Sequence, residues 1–170
     1  MKAVLSIVFC LVVFISSAQK MEPYPSSDSI VISGIVIKQI VIPLNDISSM
    51  ADTSFPTLKI LNHHGEFKVN YANVKAVALK RIFEKNLLSS AKPKEMYSFY
   101  FVCKAIDGYT AVYSYNELFN DDAKIFIVTA YDDLNLKTMP EKPMLLFMSA
   151  PATGKIGMRG LKSIEVKKVE

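Results

Sequence analysis

The chain has 170 residues and a net charge of +4, and 51% of its residues are hydrophobic while 21% are charged. This length suits one domain and excludes a large multidomain enzyme. The balance of apolar and charged residues is that of ordinary globular proteins, so long disordered segments are not expected. Two cysteines and two histidines exclude a disulfide framework and a four-thiolate zinc site. The basic residues are scattered and their excess is small, so nucleic acid is not an expected partner.

The first eighteen residues have the three-part pattern of a secretory signal peptide. Lys2 gives a positive start, residues 3–15 are almost continuously apolar, and residues 16–18 are small residues suited to cleavage. The alternative is an uncleaved membrane anchor, but a membrane span needs about 20 apolar residues. We therefore expect a periplasmic or secreted protein with no membrane span after cleavage of residues 1–18. Residues 19–29 are predicted to be a flexible lead-in, and residues 30–170 to be one domain.

Cleavage after Ala18 removes Cys10 and leaves Cys103 as the one cysteine of the mature chain. The mature protein then cannot form an internal disulfide bond, even in an oxidising compartment. Cys103 lies in an apolar stretch typical of a strand. It is therefore expected to be a small buried core residue rather than a nucleophile.

The segments after residue 29 have mostly the patterns of strands. Strands are predicted at residues 30–42 with a bend at Gly34, and at 57–61, 67–71, 96–105, 109–113, 124–130, 143–148 and 161–169. The one main helix is predicted at about residues 74–88, where apolar side chains cluster on one helical face. These elements predict a β-dominated α+β single domain with one main helix and short helical turns.

Local signals mark the turns between these elements. Asp107 and Gly108 form a strong hairpin signal. Ser114 with Glu117 three residues later is a capping box, which predicts a short helix after it. A second helical turn is expected after Pro43, capped by Asn45 or Asp46.

Two segments are candidates for binding chemistry. His63 and His64 lie on a predicted turn without a metal-ligand motif, so they are either an exposed polar turn or a ligand-contacting pair at the rim of a site. Residues 150–160 are rich in glycine, which predicts a flexible surface loop. They match no phosphate-binding motif, but they place Lys155 and Arg159 where an anion could bind; the alternative is a solvated loop.

In order and spacing, several segments resemble the oxidoreductase molybdopterin-binding domain, the sulfite-oxidase type. The most specific match is Ala105-Ile106-Asp107-Gly108-Tyr109 followed by residues 114–118. The other matching segments are residues 33–36, 42–47, 55–60, 73–83 and 157–166. The resemblance covers about residues 30–169 and implies the sulfite-oxidase-type fold for the mature chain.

Two departures from this family concern its cofactor. The resemblance places a molybdenum-ligating cysteine where this chain has Ile60, and isoleucine cannot ligate a metal. An arginine of the penultimate strand is replaced by Leu145 or a neighbour, which removes an ionic partner of the cofactor phosphate. Arg159 is the one matching basic position that is kept. The resemblance thus implies the scaffold without the cofactor, with bound molybdopterin as the alternative.

These observations lead to three hypotheses of function. The first is an exported, non-catalytic binding domain with no catalytic residue and no metal, whose candidate pocket is formed by Asn62, His63, His64, Tyr109 and Arg159. Its partner would be a small anionic ligand or a cell-envelope protein. The second is a molybdopterin-dependent oxidoreductase or its subunit. The third is a protein-interaction module of the cell envelope.

Overall fold

The computed structural model describes residues 26–35, 38–84, 92–119 and 124–170. Its strands are β1 (Ser29–Gly34), β2 (Ile40–Pro43), β3 (Thr53–Leu61), β4 (Phe67–Ala78), β5 (Phe99–Ala105), β6 (Thr110–Ser114), β7 (Ile125–Tyr131), β8 (Leu134–Asn135), β9 (Met144–Ala150), β10 (Thr153–Met158) and β11 (Leu161–Lys168). Its helices are α1 (Leu44–Ser49), α2 (Leu79–Glu84), α3 (Pro93–Met96) and α4 (Tyr115–Phe119). The predicted β-dominated α+β class is therefore confirmed. The predicted signal peptide and residues 19–25 lie outside the described residues.

The strands form two sheets. The five-stranded sheet has the order β2-β1-β11-β5-β6, in which β1 and β11 are parallel. The six-stranded sheet has the order β4-β3-β10-β9-β7-β8, and β4 also pairs with β7. A closed ring is consequently formed by five strands, namely β4, β3, β10, β9 and β7.

None of the helices in the described ranges is both long enough and apolar enough to cross a membrane.

Strand β4 changes the face that it buries at Asn73. The backbone of Asn73 is left-handed, with a φ of 52°, a conformation that asparagine tolerates better than most residues. Before it, Val69 and Tyr71 are partly buried; after it, Val74 and Ala76 are fully buried. The strand can therefore pair with β3 along its length and with β7 at its end.

The helix predicted at residues 74–88 is wrong for residues 74–78 and is found at residues 79–84. Strand β4 continues to Ala78, helix α2 is short, and residues 85–91 lie outside the described residues. Val77 pairs with Ile127 of β7 and is fully buried like its neighbours. A strand buried on both faces presents a continuous apolar run, whose pattern cannot be told from a buried helix over this length.

The predicted flexible loop at residues 150–160 is also wrong, because most of it forms β10, which pairs with β3 and β9. Its glycines permit close packing. A Cβ atom on Gly154 would lie 2.9 Å from Cδ1 of Leu146 and 3.0 Å from the carbonyl oxygen of Phe147. A glycine inside a strand often marks such a close approach.

The predicted hairpin and capping box are both confirmed. Asp107 and Gly108 form the turn between β5 and β6, and Gly108 has a φ of 87°. The Glu117 carboxylate accepts hydrogen bonds from the backbone N–H of Ser114 at 2.6 Å and from its hydroxyl at 2.8 Å. The Ser114 hydroxyl in turn accepts the N–H of Glu117 at 3.2 Å. Helix α4 starts directly after this box.

The start of helix α1 differs from the prediction. Its N-cap residue is Pro43, which has an extended backbone and makes no side-chain capping hydrogen bond. Asn45 and Asp46 lie inside the helix instead. The capping position is thus two or three residues earlier than the predicted one.

The core is one contiguous cluster that takes side chains from both sheets. Fully buried members include Ile32, Phe101, Ile164 and Val166 of the five-stranded sheet, and Leu58, Ile127, Met144 and Leu145 of the other. Cys103 is fully buried among them, so its prediction as a core residue is confirmed. Phe101 packs against Phe83 of α2 with ring centroids 4.8 Å apart.

Candidate functional site

A cleft of about 660 Å³ opens where the β3–β4 hairpin, strand β10 and the β5–β6 turn come together. It is lined by Ile60, Leu61, Asn62, His63, Lys68, Asp107, Tyr109, Phe147, Lys155, Ile156, Gly157, Met158 and Arg159. Aliphatic and aromatic side chains thus share the lining with charged and amide groups. This combination and this size are typical of sites for small molecules.

Asn62 organises the turn that carries the histidines. Its side-chain oxygen accepts the backbone N–H groups of His64 and Glu66, both at 2.9 Å. Its amide nitrogen donates to the Glu66 carboxylate at 2.8 Å. Because these bonds occupy the side chain, the main role of Asn62 is to stabilise the turn that carries both histidines.

The structure brings four of the five predicted pocket residues to one cleft. Asn62, His63, Tyr109 and Arg159 line it, whereas His64 is not part of the lining. The His64 ring lies beside that of His63, with centroids 4.0 Å apart. Tyr109 is 56% exposed, and its backbone N–H donates to the Asp107 carboxylate at 2.9 Å.

Two lysines flank the end of β3 at this cleft. Lys155 of β10 is in register with Leu61 of β3. On the opposite side of β3, Phe67 of β4 is also in register with Leu61, and Lys68 directly follows Phe67 in the chain. Neither lysine forms an ion pair with any other described residue. The glycine-rich segment predicts a possible anion-binding role for Lys155, but no local signal in the sequence points to Lys68.

Arg159 lines the cleft but already has an acidic partner. Its guanidinium forms an ion pair with the carboxylate of Glu141, which is only 8% exposed. The group also lies beside Tyr71: burial raises the pKa of the Tyr71 hydroxyl, and the nearby Arg159 charge offsets part of that rise. The negative charge of Glu141 therefore reduces the attraction that the Arg159 guanidinium would have for an anion.

The floor of the cleft meets the five-stranded sheet at Gly157. A Cβ atom here would lie 3.3 Å from the hydroxyl oxygen of Tyr113 on β6. Burial raises the pKa of this hydroxyl to about 12. The glycine thus leaves room for a partly buried, neutral tyrosine directly behind the lining.

The described residues do not fit a thiolate-ligated molybdenum centre. Ile60 is buried and lines the cleft with an aliphatic side chain at the position where the resemblance would place the ligand. Cys103 is not in the lining, and burial raises the pKa of its thiol to about 12. Leu145 is fully buried and carries no charge. Within the described ranges, no three His, Cys, Asp or Glu side chains form a group that could hold a metal ion.

Comparison with known proteins identifies no matching family model and no matching curated protein.

Proposed function

We propose that the chain is an exported, non-catalytic binding domain that takes up a small anionic ligand in the cleft, on a scaffold of the sulfite-oxidase molybdopterin-binding type. The observation that carries this proposal is the pair Lys68 and Lys155, which lie on either side of the apolar end of β3 without acidic partners among the described residues. Charges at the edge of an apolar cavity act more strongly on a ligand than charges in bulk water. An anion is the ligand that these groups favour.

The other lining residues support binding rather than catalysis. Tyr109 offers an aromatic face and a hydroxyl, and His63 offers a ring at the end of the hairpin. A nucleophile next to a general base would be needed for covalent catalysis. The two natural candidates are engaged elsewhere, since Cys103 is buried in the core and the Ser114 hydroxyl is bonded to Glu117.

The proposal is tested with the exported protein purified after expression of the full-length precursor. A pool of small carboxylates, sulfonates and phosphates is screened by ligand-observed NMR, and hits are titrated. We expect K68Q/K155Q to bind the hits about tenfold more weakly, at about 0.7 kcal/mol for each lost charge. The matched control is K75Q/K162Q, because Lys75 and Lys162 are exposed and lie outside the lining.

The two variants separate a site from a general charge effect. Both lose two positive charges, so a non-specific attraction would weaken equally in both. Equal affinities of the two variants, or no binding by any anion of the pool, would contradict the proposal.

One observation favours the protein-interaction module as a second candidate. Ile106 is 41% exposed, Val112 is 56% exposed, and both lie with Tyr109 on the β5–β6 hairpin. Exposed apolar side chains on one element are typical of partner surfaces. In this case I106S/V112S should abolish in vivo crosslinking to a cell-envelope protein and leave anion binding unchanged. Unchanged crosslinking would exclude this hairpin as the partner surface.

A further inference from the structure

The charged groups around the cleft nearly cancel. The lining contains the cations Lys68, Lys155 and Arg159 and the carboxylate Asp107. Glu141 lies behind the lining as the partner of Arg159. Counted over the lining and the ion-pair partner of Arg159 alone, three positive and two negative groups leave a net charge of +1, which balances one negative charge on a ligand.

The pair of Arg159 and Glu141 is built into the fold. Both side chains are largely removed from solvent, with 30% and 11% exposure. The backbone carbonyl of Glu141 accepts the N–H of Gly160 at 3.1 Å, which ties the acidic residue to the neighbour of Arg159. Separating an ion pair that is mostly shielded from water is unfavourable, because the more buried carboxylate of Glu141 would remain without its partner. Arg159 is therefore not available to balance a second negative charge.

The apolar part of the lining favours ligands with a hydrocarbon body. Its accessible surface comes from the partly exposed Leu61 of β3, Phe147 of β9 and Ile156 of β10, whereas Ile60 and Met158 are at most 2% exposed. A compact inorganic anion would cover little of this surface. An aliphatic or aromatic body would remove it from water and gain binding free energy in proportion to the area covered.

We infer that the cleft selects amphiphilic monoanions, meaning carboxylates with an aliphatic or aromatic body, over compact dianions, and that Glu141 sets this selectivity by neutralising Arg159. The inference rests on the proposed function and specifies its ligand class. Glu141 is a positioning residue, since it acts through Arg159 and is not part of the lining. Selectivity is a difference between two affinities, so both ligand classes must be measured.

The test is calorimetric titration of the exported protein at low ionic strength with octanoate, octanamide and sulfate. Octanoate and octanamide share the hydrocarbon body and differ in charge, whereas sulfate carries two charges and no body. We expect octanoate to bind about tenfold more tightly than either of the others. In E141Q, which releases the charge of Arg159, sulfate should bind about tenfold more tightly, with a smaller change for octanoate.

A second variant keeps the test decisive if E141Q does not fold. R159Q/E141Q replaces the ion pair by two amides and should keep both affinities within about twofold of the unsubstituted protein. A tenfold loss of octanoate binding in this variant would overturn the inference, because Arg159 would then hold the ligand itself. Sulfate binding as tight as octanoate, or no gain for sulfate in folded E141Q, would also overturn it. Each of these three results would leave the anion-binding function standing, whereas binding of neither anion nor of any anion of the pool would remove the proposed function itself.

Discussion

The contact of β1 with β11 predicts a large effect of a single methyl group at Gly34. Gly34 ends β1 in register with Val166, and its backbone is left-handed, with a φ of 95°. A Cβ atom would collide with the carbonyl oxygen of Val166 and would lie 2.9 Å from its backbone nitrogen. That oxygen also accepts the N–H of Ile35 at 2.8 Å, so it cannot move away without loss of the bond.

Two costs add up in the G34A variant. The left-handed conformation costs a residue with a side chain about 1–2 kcal/mol, and overpacking against rigid backbone costs about 1–3 kcal/mol more. Reduced freedom of the unfolded chain returns about 0.5 kcal/mol. We therefore expect G34A to lower the free energy of unfolding by about 3 kcal/mol.

Gly65 provides the matched control for this prediction. Its φ is 84°, but no atom lies within 4 Å of the Cβ position, so G65A has the conformational cost alone, about 1 kcal/mol. Urea unfolding followed by far-UV circular dichroism measures both values. If G34A and G65A differ by less than about 0.5 kcal/mol, the argument that β1 packs on β11 through this glycine is refuted.

Three further predictions concern pH, capping and cofactor content. Burial raises the pKa of the Cys103 thiol and the Tyr113 hydroxyl to about 12, from 9.0 and 10.0. The unfolded chain therefore loses these protons first, so the free energy of unfolding should fall between about pH 9 and 12, by up to about 1.4 kcal/mol per pH unit for each group. C103A should make this fall less steep in urea unfolding, and an unchanged slope would contradict the buried thiol. S114A should lower the free energy of unfolding by about 1 kcal/mol through loss of the capping box, and no measurable change would show that the box is not formed in solution. Protein exported from a bacterium that makes the molybdenum cofactor should contain neither molybdenum by mass spectrometry nor pterin by fluorescence, and near-stoichiometric amounts of both would restore the oxidoreductase hypothesis.

Features with local causes could be predicted from the sequence. The turn at Asp107 and Gly108 needs only residues that favour a tight turn. The box of Ser114 and Glu117 needs only two side chains three positions apart. Both features are found in the structure as predicted.

Features with distant causes could not be predicted in this way. Residues 74–78 form a strand because β3 and β7 lie on either side of them, about 20 and 50 residues away along the chain. The face change at Asn73 adds a second difficulty, since the buried positions shift from odd to even residues within one strand. A pattern search that assumes one period over the whole strand cannot find this element.

The charged residues of the cleft also depend on neighbours that are distant in the chain, and these neighbours bear directly on the proposed function. The sequence contains the basic side chains, but their effect on a ligand depends on acidic partners that the fold brings near. Arg159 stood out on a glycine-rich segment, yet Glu141, eighteen positions earlier, balances its charge. Lys68 looked like an ordinary exposed residue of a strand, yet it lies at the cleft without an acidic partner among the described residues. The proposed ligand preference thus depends on which cations have no acidic partner among the described residues, and that is why Glu141 is the residue to change first.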